Sequence, residues 1–149
     1  MQDPRYEKLA SVLVGYSTNV QNDENVLIEA IDIPNEMVIA LIQEVRARGG
    51  NPLVTLKHNV IQRELIIGGS AENMSLAGDY EAYRMKQVQA YIGVRGSWNI
   101  TEMSDVSTEA MNKYENGWLK PVHFDIRVPR TKWVVLRWPT SSMAQQAGR

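Results

Sequence analysis

Charged and polar side chains follow the short apolar runs of this sequence, and they are the groups best placed to do chemistry. They are Asp32, Lys57, His58, Arg95, Ser97 and Arg137. The carboxyl ends of parallel strands gather at one edge of an open sheet, where ligands bind, so we expect these residues to share that edge. Three converging cations suit a carboxylate or a phosphate. The alternative is that the cations pair with Glu29, Asp32 and helix carboxylates at a solvated rim.

Common catalytic and cofactor motifs are absent from the sequence. Residues 93–97 follow a predicted strand but do not form the dinucleotide pattern G-x-G-x-x-G, and there is no phosphate-binding G-K-[ST]. Neither a G-x-S-x-G elbow nor an H-E-x-x-H helix occurs. His123 and Asp125 would point the same way on a strand, but two ligands are too few for a tight metal site. There is no cysteine, which excludes disulfides and thiolate chemistry.

The composition indicates one soluble globular domain. The chain has 149 residues, 44% of them hydrophobic, which is enough for one sizeable core. Sixteen basic residues against 17 acidic ones give a net charge of −1, which argues against a nucleic-acid binder. No apolar run reaches the 18–20 residues that span a bilayer, and the first residues lack a signal-peptide core. We therefore expect a cytoplasmic protein without nucleic-acid or membrane partners.

Hydrophobic periodicity predicts strands that alternate with helices. The predicted strands are 26–31, 53–57, 90–94 and 133–136, and the predicted helices are 4–16, 35–48, 61–67, 71–89 and 108–118. Asp3, Ser70 and Ser107 are expected to cap helices. Residues 122–128 alternate like a strand, but the preceding helix could also continue past Pro121 as a kinked segment. The pattern indicates an α/β fold: an open, mainly parallel sheet of at least four strands with helices on both faces, a Rossmann-like three-layer domain over residues 1–149.

Several segments resemble the N-terminal domain of the thermophilic-type metallo-aminopeptidases, the aminopeptidase T and aminopeptidase S family. They are residues 3–10, 26–34, 55–59, 83–85, 91–97, 132–140 and 143–148. The match runs in order along nearly the whole chain. Its most specific part is the strand that ends in Trp138-Pro139-Thr140, followed by Met143-Ala144-Gln145.

The resemblance implies a cytoplasmic, homodimeric exopeptidase that removes N-terminal residues from peptides with two divalent metal ions: zinc, cobalt or manganese. The family's metal ligands lie in a C-terminal domain, so none can be carried over to a position in this sequence. Residues 142–148 look like the first turns of a helix that stops midway. We therefore expect an N-terminal domain of a longer two-domain enzyme whose catalytic C-terminal domain is absent, with no catalytic or metal-binding residue and no activity alone.

In the full-length enzyme, the polar edge of the sheet would form a wall of the peptide-substrate cavity or hold the catalytic domain in place. Two alternatives remain open. The chain could be a stand-alone module that binds a small anion through Lys57, Arg95 and Arg137, or a dimerisation domain.

Overall fold

A four-stranded parallel sheet is the centre of the fold. A computed structural model describes residues 3–96 and 103–139. Within them the strands are β1 (Asn25–Ile31), β2 (Asn51–Lys57), β3 (Ala90–Gly96) and β4 (Lys132–Trp138), in the spatial order β2-β1-β3-β4. All three neighbouring pairs are parallel. The predicted α/β fold with an open parallel sheet is confirmed.

Helices precede and separate the strands. They are α1 (Pro4–Ser11), α2 (Asn35–Ala47), α3 (Asn59–Gly68), α4 (Ala71–Met85), α5 (Thr108–Tyr114) and α6 (Val128–Arg130). The first π-helical segment, Val12–Ser17, extends α1, and the second, Glu115–Arg127, extends α5. The predicted capping residues Asp3, Ser70 and Ser107 each accept a hydrogen bond from a backbone N–H of the first turn, which confirms the predicted helix starts.

The strand interpretation of residues 122–128 is wrong, because residues 122–127 belong to the second π-helical segment and Val128 begins α6. Pro121 lies inside this segment; it lacks an N–H and its ring collides with the carbonyl of an ordinary α-turn. A wider turn accommodates the proline, and Val128 N–H bonds to the carbonyl of His123, five residues back. The apolar alternation that resembled a strand does not mark one buried face, since Val122 and Ile126 are buried whereas Phe124 and Val128 are exposed.

The chain divides into two compact units. Within the described residues, the first unit consists of 3–57, 88–96 and 131–139, and contains the whole sheet. The second consists of 58–87 and 103–130, and contains α3 to α6. No helix in these ranges is long and apolar enough to cross a bilayer.

One face of the sheet carries the apolar core of the first unit. Val26 and Ile28 of β1 and Ile92 of β3 are buried together with Leu13 and Leu41 from the helical segments that cover this face. Successive side chains of a strand point to opposite faces. Glu29 and Tyr91 therefore lie on the other face, where both are also buried.

Lys132 attaches the start of β4 to the loop that precedes β1. Its Nζ lies 2.6 Å from Glu24 Oε1 and donates a second hydrogen bond to the carbonyl of Asn19 at 2.7 Å. Burial raises the pKa of Glu24, but the hydrogen bonds from Lys132 and from the Gln21 N–H outweigh it and hold that pKa below its ordinary value. The pair joins segments 108 residues apart in sequence.

Two glycines let α4 and the second π-helical segment pack closely in the second unit. A Cβ added to Gly78 would lie 2.1 Å from the carbonyl oxygen of Gly117, so no larger residue fits there without a shift of the backbone. Nearby, the Trp118 indole donates a hydrogen bond to the Glu81 carboxylate and packs edge-to-face on Tyr114. These contacts fix the two helical segments against each other.

Candidate functional site

A row of basic residues crosses the carboxyl end of the sheet. The parallel register pairs Ile31 with both Lys57 and Arg95, and pairs Arg95 with Arg137. Residues in register on neighbouring strands share a face of the sheet. The structure thus brings three of the residues predicted from the sequence into one register row, which we name the cation row.

A buried glutamate lies two positions before this row on β1. Glu29 is 4% exposed. Its Oε1 accepts a hydrogen bond of 2.6 Å from the Tyr91 hydroxyl on β3, and its Oε2 lies 3.2 Å from Lys57 Nζ on β2. A buried carboxylate needs such partners, because its charge is otherwise very costly to remove from water. Glu29 therefore links the three adjacent strands, and Lys57 forms the ion pair that the alternative interpretation predicts.

Gly93 makes room for the hydroxyl of Tyr91. A Cβ added to Gly93 would lie 2.6 Å from Tyr91 Oη and 2.9 Å from Cε2, so the phenol ring lies over the glycine. Because Gly93 is in register with Glu29, this position carries the hydroxyl to the carboxylate. Arg95 Nη2 lies 3.5 Å from the same hydroxyl. The Tyr91 hydroxyl thus donates a hydrogen bond to the Glu29 carboxylate and lies beside the Arg95 guanidinium.

The backbone closes the sheet edge between β1 and β3. In open α/β sheets, ligands bind where the strand order reverses, and here that point lies between these two strands. A Cβ added to Gly96 would lie 2.2 Å from the Asp32 carbonyl oxygen. Asp32 itself has a left-handed φ of 54° and donates its N–H to the carbonyl of Lys57 at 3.2 Å. A ligand at this edge therefore meets side chains of the cation row rather than an open crevice.

Three more candidates from the sequence are Arg137, His58 and Ser97, and the structure describes only the first two. Arg137 is exposed at the end of the row, on the edge strand β4. His58 is the first residue of the second unit; it precedes α3, and its carbonyl accepts the N–H groups of Ile61 and Gln62. Ser97 lies outside the described residues. A role for any of these residues in binding stays a prediction.

Sequence reasoning missed the network that supports the row. From the sequence, Glu29 is expected only as an ion-pair partner, and Tyr91 and Gly93 are not predicted as site residues. One signal was available: Glu29 is the single charged residue within the apolar run 26–31. The contact of Tyr91 with Glu29 depends on the register of β1 and β3, which spacing along the chain does not reveal.

The described residues do not offer donors suited to a divalent cation. Within 3–96 and 103–139 there is no group of three or more His, Asp or Glu side chains that could hold a metal ion. Glu29 is bound by Lys57 and Tyr91. Asp125 pairs with Lys120 at 3.2 Å, and the guanidinium of Arg127 lies 3.3 Å from the Nδ1 of His123. Positive charge beside Glu29, His123 and Asp125 opposes the binding of a metal cation at these three residues.

Comparison with known proteins gives one family and one fold. A family model described as thermophilic metalloprotease (M29) matches residues 2–147. A solved structure, wild-type AmpT from Thermus thermophilus, superposes with a TM-score of 0.69 at 14% identity; the match covers 92% of this chain and 36% of that one. The chain thus spans about a third of the length of AmpT, and at this identity the likeness shows the fold. No curated protein matches the chain.

Proposed function

The chain belongs to the thermophilic metalloprotease family, and from this premise we propose that it is the N-terminal domain of a metal-dependent aminopeptidase, which removes N-terminal residues from peptides. The match of the family model to residues 2–147 carries this proposal. The structural likeness supports it, because the fold of this chain corresponds to 36% of a longer protein.

The metal ions of the proposed enzyme bind outside this chain. The family is metal-dependent, whereas in the described part of this chain no three His, Asp or Glu side chains form a group that could hold a metal ion. We therefore assign the ligands of two zinc, cobalt or manganese ions to a C-terminal catalytic domain. On this proposal, the chain alone does not hydrolyse peptides.

The cation row serves the enzyme as one wall of the substrate cavity. Lys57, Arg95 and Arg137 present positive charge on one face of the sheet edge, and Glu29 offsets only part of it. Such a wall suits the carboxylate of a bound peptide. The same row supports the second candidate function, a stand-alone module for small anions, since that function needs only the row itself. The first proposal, the aminopeptidase domain, includes a homodimeric, cytoplasmic enzyme. Sedimentation of the full-length protein tests whether it is a dimer.

A peptidase assay tests the proposal directly. The 149-residue chain is incubated with zinc, cobalt or manganese and an aminoacyl p-nitroanilide, beside the full-length product of the same reading frame. We expect metal-dependent turnover only from the full-length protein, whose downstream segment should be rich in Glu, His and Asp. Robust turnover by the chain alone would overturn the assignment of the metal ligands. A full-length protein that is inactive with every metal would favour the anion-binding module.

The cation row is tested separately in the full-length protein with a free peptide as substrate. Arg137→Gln should raise KM about tenfold, because a hydrogen bond to a charged group contributes about 1.5 kcal/mol. Arg130→Gln, which removes an exposed arginine outside the row, is the matched control and should leave KM unchanged. Equal KM values for the two variants would show that the cation row does not contact the substrate.

A further inference from the structure

An asparagine–glycine pair lies inside the second π-helical segment, although such a pair is typical of tight turns. Asn116 and Gly117 form it, and the sequence has no other Asn-Gly. Both residue types are less favourable than alanine in a helix. Packing explains the glycine: a Cβ added to Gly117 would lie 3.0 Å from the backbone nitrogen of Ser75. It does not explain Asn116, which is exposed and whose side chain makes no hydrogen bond to any residue that the structure describes.

An asparagine followed by glycine can lose ammonia without an enzyme. The backbone nitrogen of Gly117 attacks Cγ of Asn116, and the new C–N bond closes a succinimide ring. The bond from Cγ to the side-chain nitrogen breaks, and ammonia leaves with the proton of the Gly117 amide. Glycine has no side chain to obstruct this attack. Water then opens the ring to aspartate or to isoaspartate, in which the backbone runs through the former side chain and is one CH₂ longer.

The helical conformation holds the reacting atoms apart. Side chains on a helix point back towards its N-terminus, whereas the nitrogen of the next residue lies towards the C-terminus. Ring closure therefore requires the turn at Asn116 to open. Two contacts with α4 oppose this opening: the carbonyl of Gly117 packs on Gly78, and the buried Trp118 donates a hydrogen bond to Glu81.

We propose that Asn116 is a deamidation site that the packed second unit protects, and that isoaspartate formed there prevents α4 and the π-helical segment from packing again. The extra CH₂ lengthens the backbone directly before Gly117, at a contact where even a Cβ added to Gly78 would collide with a backbone oxygen. Each separation of the two segments exposes the pair, and the modification then makes the separation permanent.

Mass spectrometry of the tryptic peptide 114–127 tests the protection. When opening and closing are fast, the rate of modification follows the population of the opened form, so deamidation should be at least about 100-fold faster in urea than in the folded chain. Asn112 is the internal control, because it is also exposed but precedes a lysine, and it should stay intact. Equal rates in the two conditions, or earlier loss of Asn112, would overturn the proposal.

Two glycine variants test whether the contact with α4 provides the protection. Gly78→Ala should raise the rate in the folded chain at least about tenfold, because its Cβ would overpack the contact with Gly117. Gly68→Ala is the matched control: its Cβ would meet no atom within 4 Å, and the rate should not change. Circular dichroism reports the fold, and an unfolded Gly78→Ala chain should react like the wild type in urea. An unchanged rate in the Gly78→Ala chain, or an equal rise in both variants, would overturn the proposal.

Refolding of the modified chain tests the consequence. The isoaspartyl chain is purified after incubation in urea and compared with Asn116→Asp, which has the same charge but a backbone of normal length. Asn116→Asp should unfold at the urea concentration of the wild type, and the isoaspartyl chain at a lower one. Equal midpoints would overturn the second part of the proposal. Deamidation needs neither a metal ion nor a peptide, so these tests and the peptidase assay succeed or fail independently.

Discussion

Tyr91→Phe should lower the free energy of unfolding by about 2 kcal/mol. The substitution keeps the ring and removes only the hydroxyl, which donates a hydrogen bond of 2.6 Å to Glu29. Removal of one partner of a buried polar group costs about 1–3 kcal/mol, and more when the group is charged. Because Lys57 still faces the carboxylate, we expect the middle of that range rather than its upper end.

Gly93→Ala should disturb the same hydrogen bond by a different route. Its Cβ would lie 2.6 Å from Tyr91 Oη, and the tyrosine is fully buried, so the ring must move away from Glu29. Overpacking of a core costs about 1–3 kcal/mol. In a chain that already carries Tyr91→Phe, the hydrogen bond is absent and the alanine should cost less. We expect the two substitutions to be non-additive by about 1 kcal/mol.

Urea denaturation of the four chains of this double-mutant cycle provides the measurement. With a slope of about 2 kcal/mol/M, the loss from Tyr91→Phe moves the unfolding midpoint by about 1 M. Tyr80→Phe is the matched control, because its side chain is 73% exposed and its hydroxyl should contribute almost nothing. The reasoning is refuted if Tyr91→Phe unfolds like Tyr80→Phe, or if the losses at positions 91 and 93 simply add.

Gly96→Ala should destabilise the sheet by about 2–3 kcal/mol, because its Cβ would lie 2.2 Å from the backbone oxygen of Asp32. Thermal unfolding followed by circular dichroism measures this loss. An unchanged melting temperature would contradict the prediction. The fold lowers the pKa of Glu24, so the pairing of Glu24 with Lys132 stabilises the fold fully at pH values above the pKa of the unfolded chain, about 4.5. This stabilisation is lost as the pH falls through the pKa of the folded chain. The difference in the free energy of unfolding between the wild type and Lys132→Met, measured by urea titration, should therefore be present at pH 6 and shrink below about pH 4.5. A difference that stays constant with pH would show that it does not come from the ion pair with Glu24.

The strands could be predicted from the sequence because each is a short apolar run bounded by polar residues. All four lie within two residues of their predicted bounds at each end. The helix starts could also be predicted, since Asp3, Ser70 and Ser107 have side chains suited to capping. Helix ends were harder: α4 ends at Met85, four residues before its predicted end. Apolar residues continue at helical spacing beyond the last helical turn, so this spacing does not locate the end of a helix well.

The candidate site could be predicted only in part. The basic residues at the carboxyl ends of β2, β3 and β4 were found because parallel strands place these ends together, and the register then set Lys57, Arg95 and Arg137 in one row. The order of the strands does not follow from their order in the chain. Without that order, nothing in the sequence connects Tyr91 with Glu29, and the space above Gly93 is visible only when the ring of Tyr91 is in place.

Because β1 lies between β2 and β3, its two sides find their partners at different times during synthesis. β1, α2 and β2 leave the ribosome first, whereas residues 58–89 must be translated before β3 emerges. At about 5–20 residues per second this interval lasts a few seconds. During it, one side of β1 is a bare strand edge that a neighbouring nascent chain can join, and Glu29 faces Lys57 without the tyrosine. Until β3 arrives, this edge is therefore open to pairing with a strand of another chain.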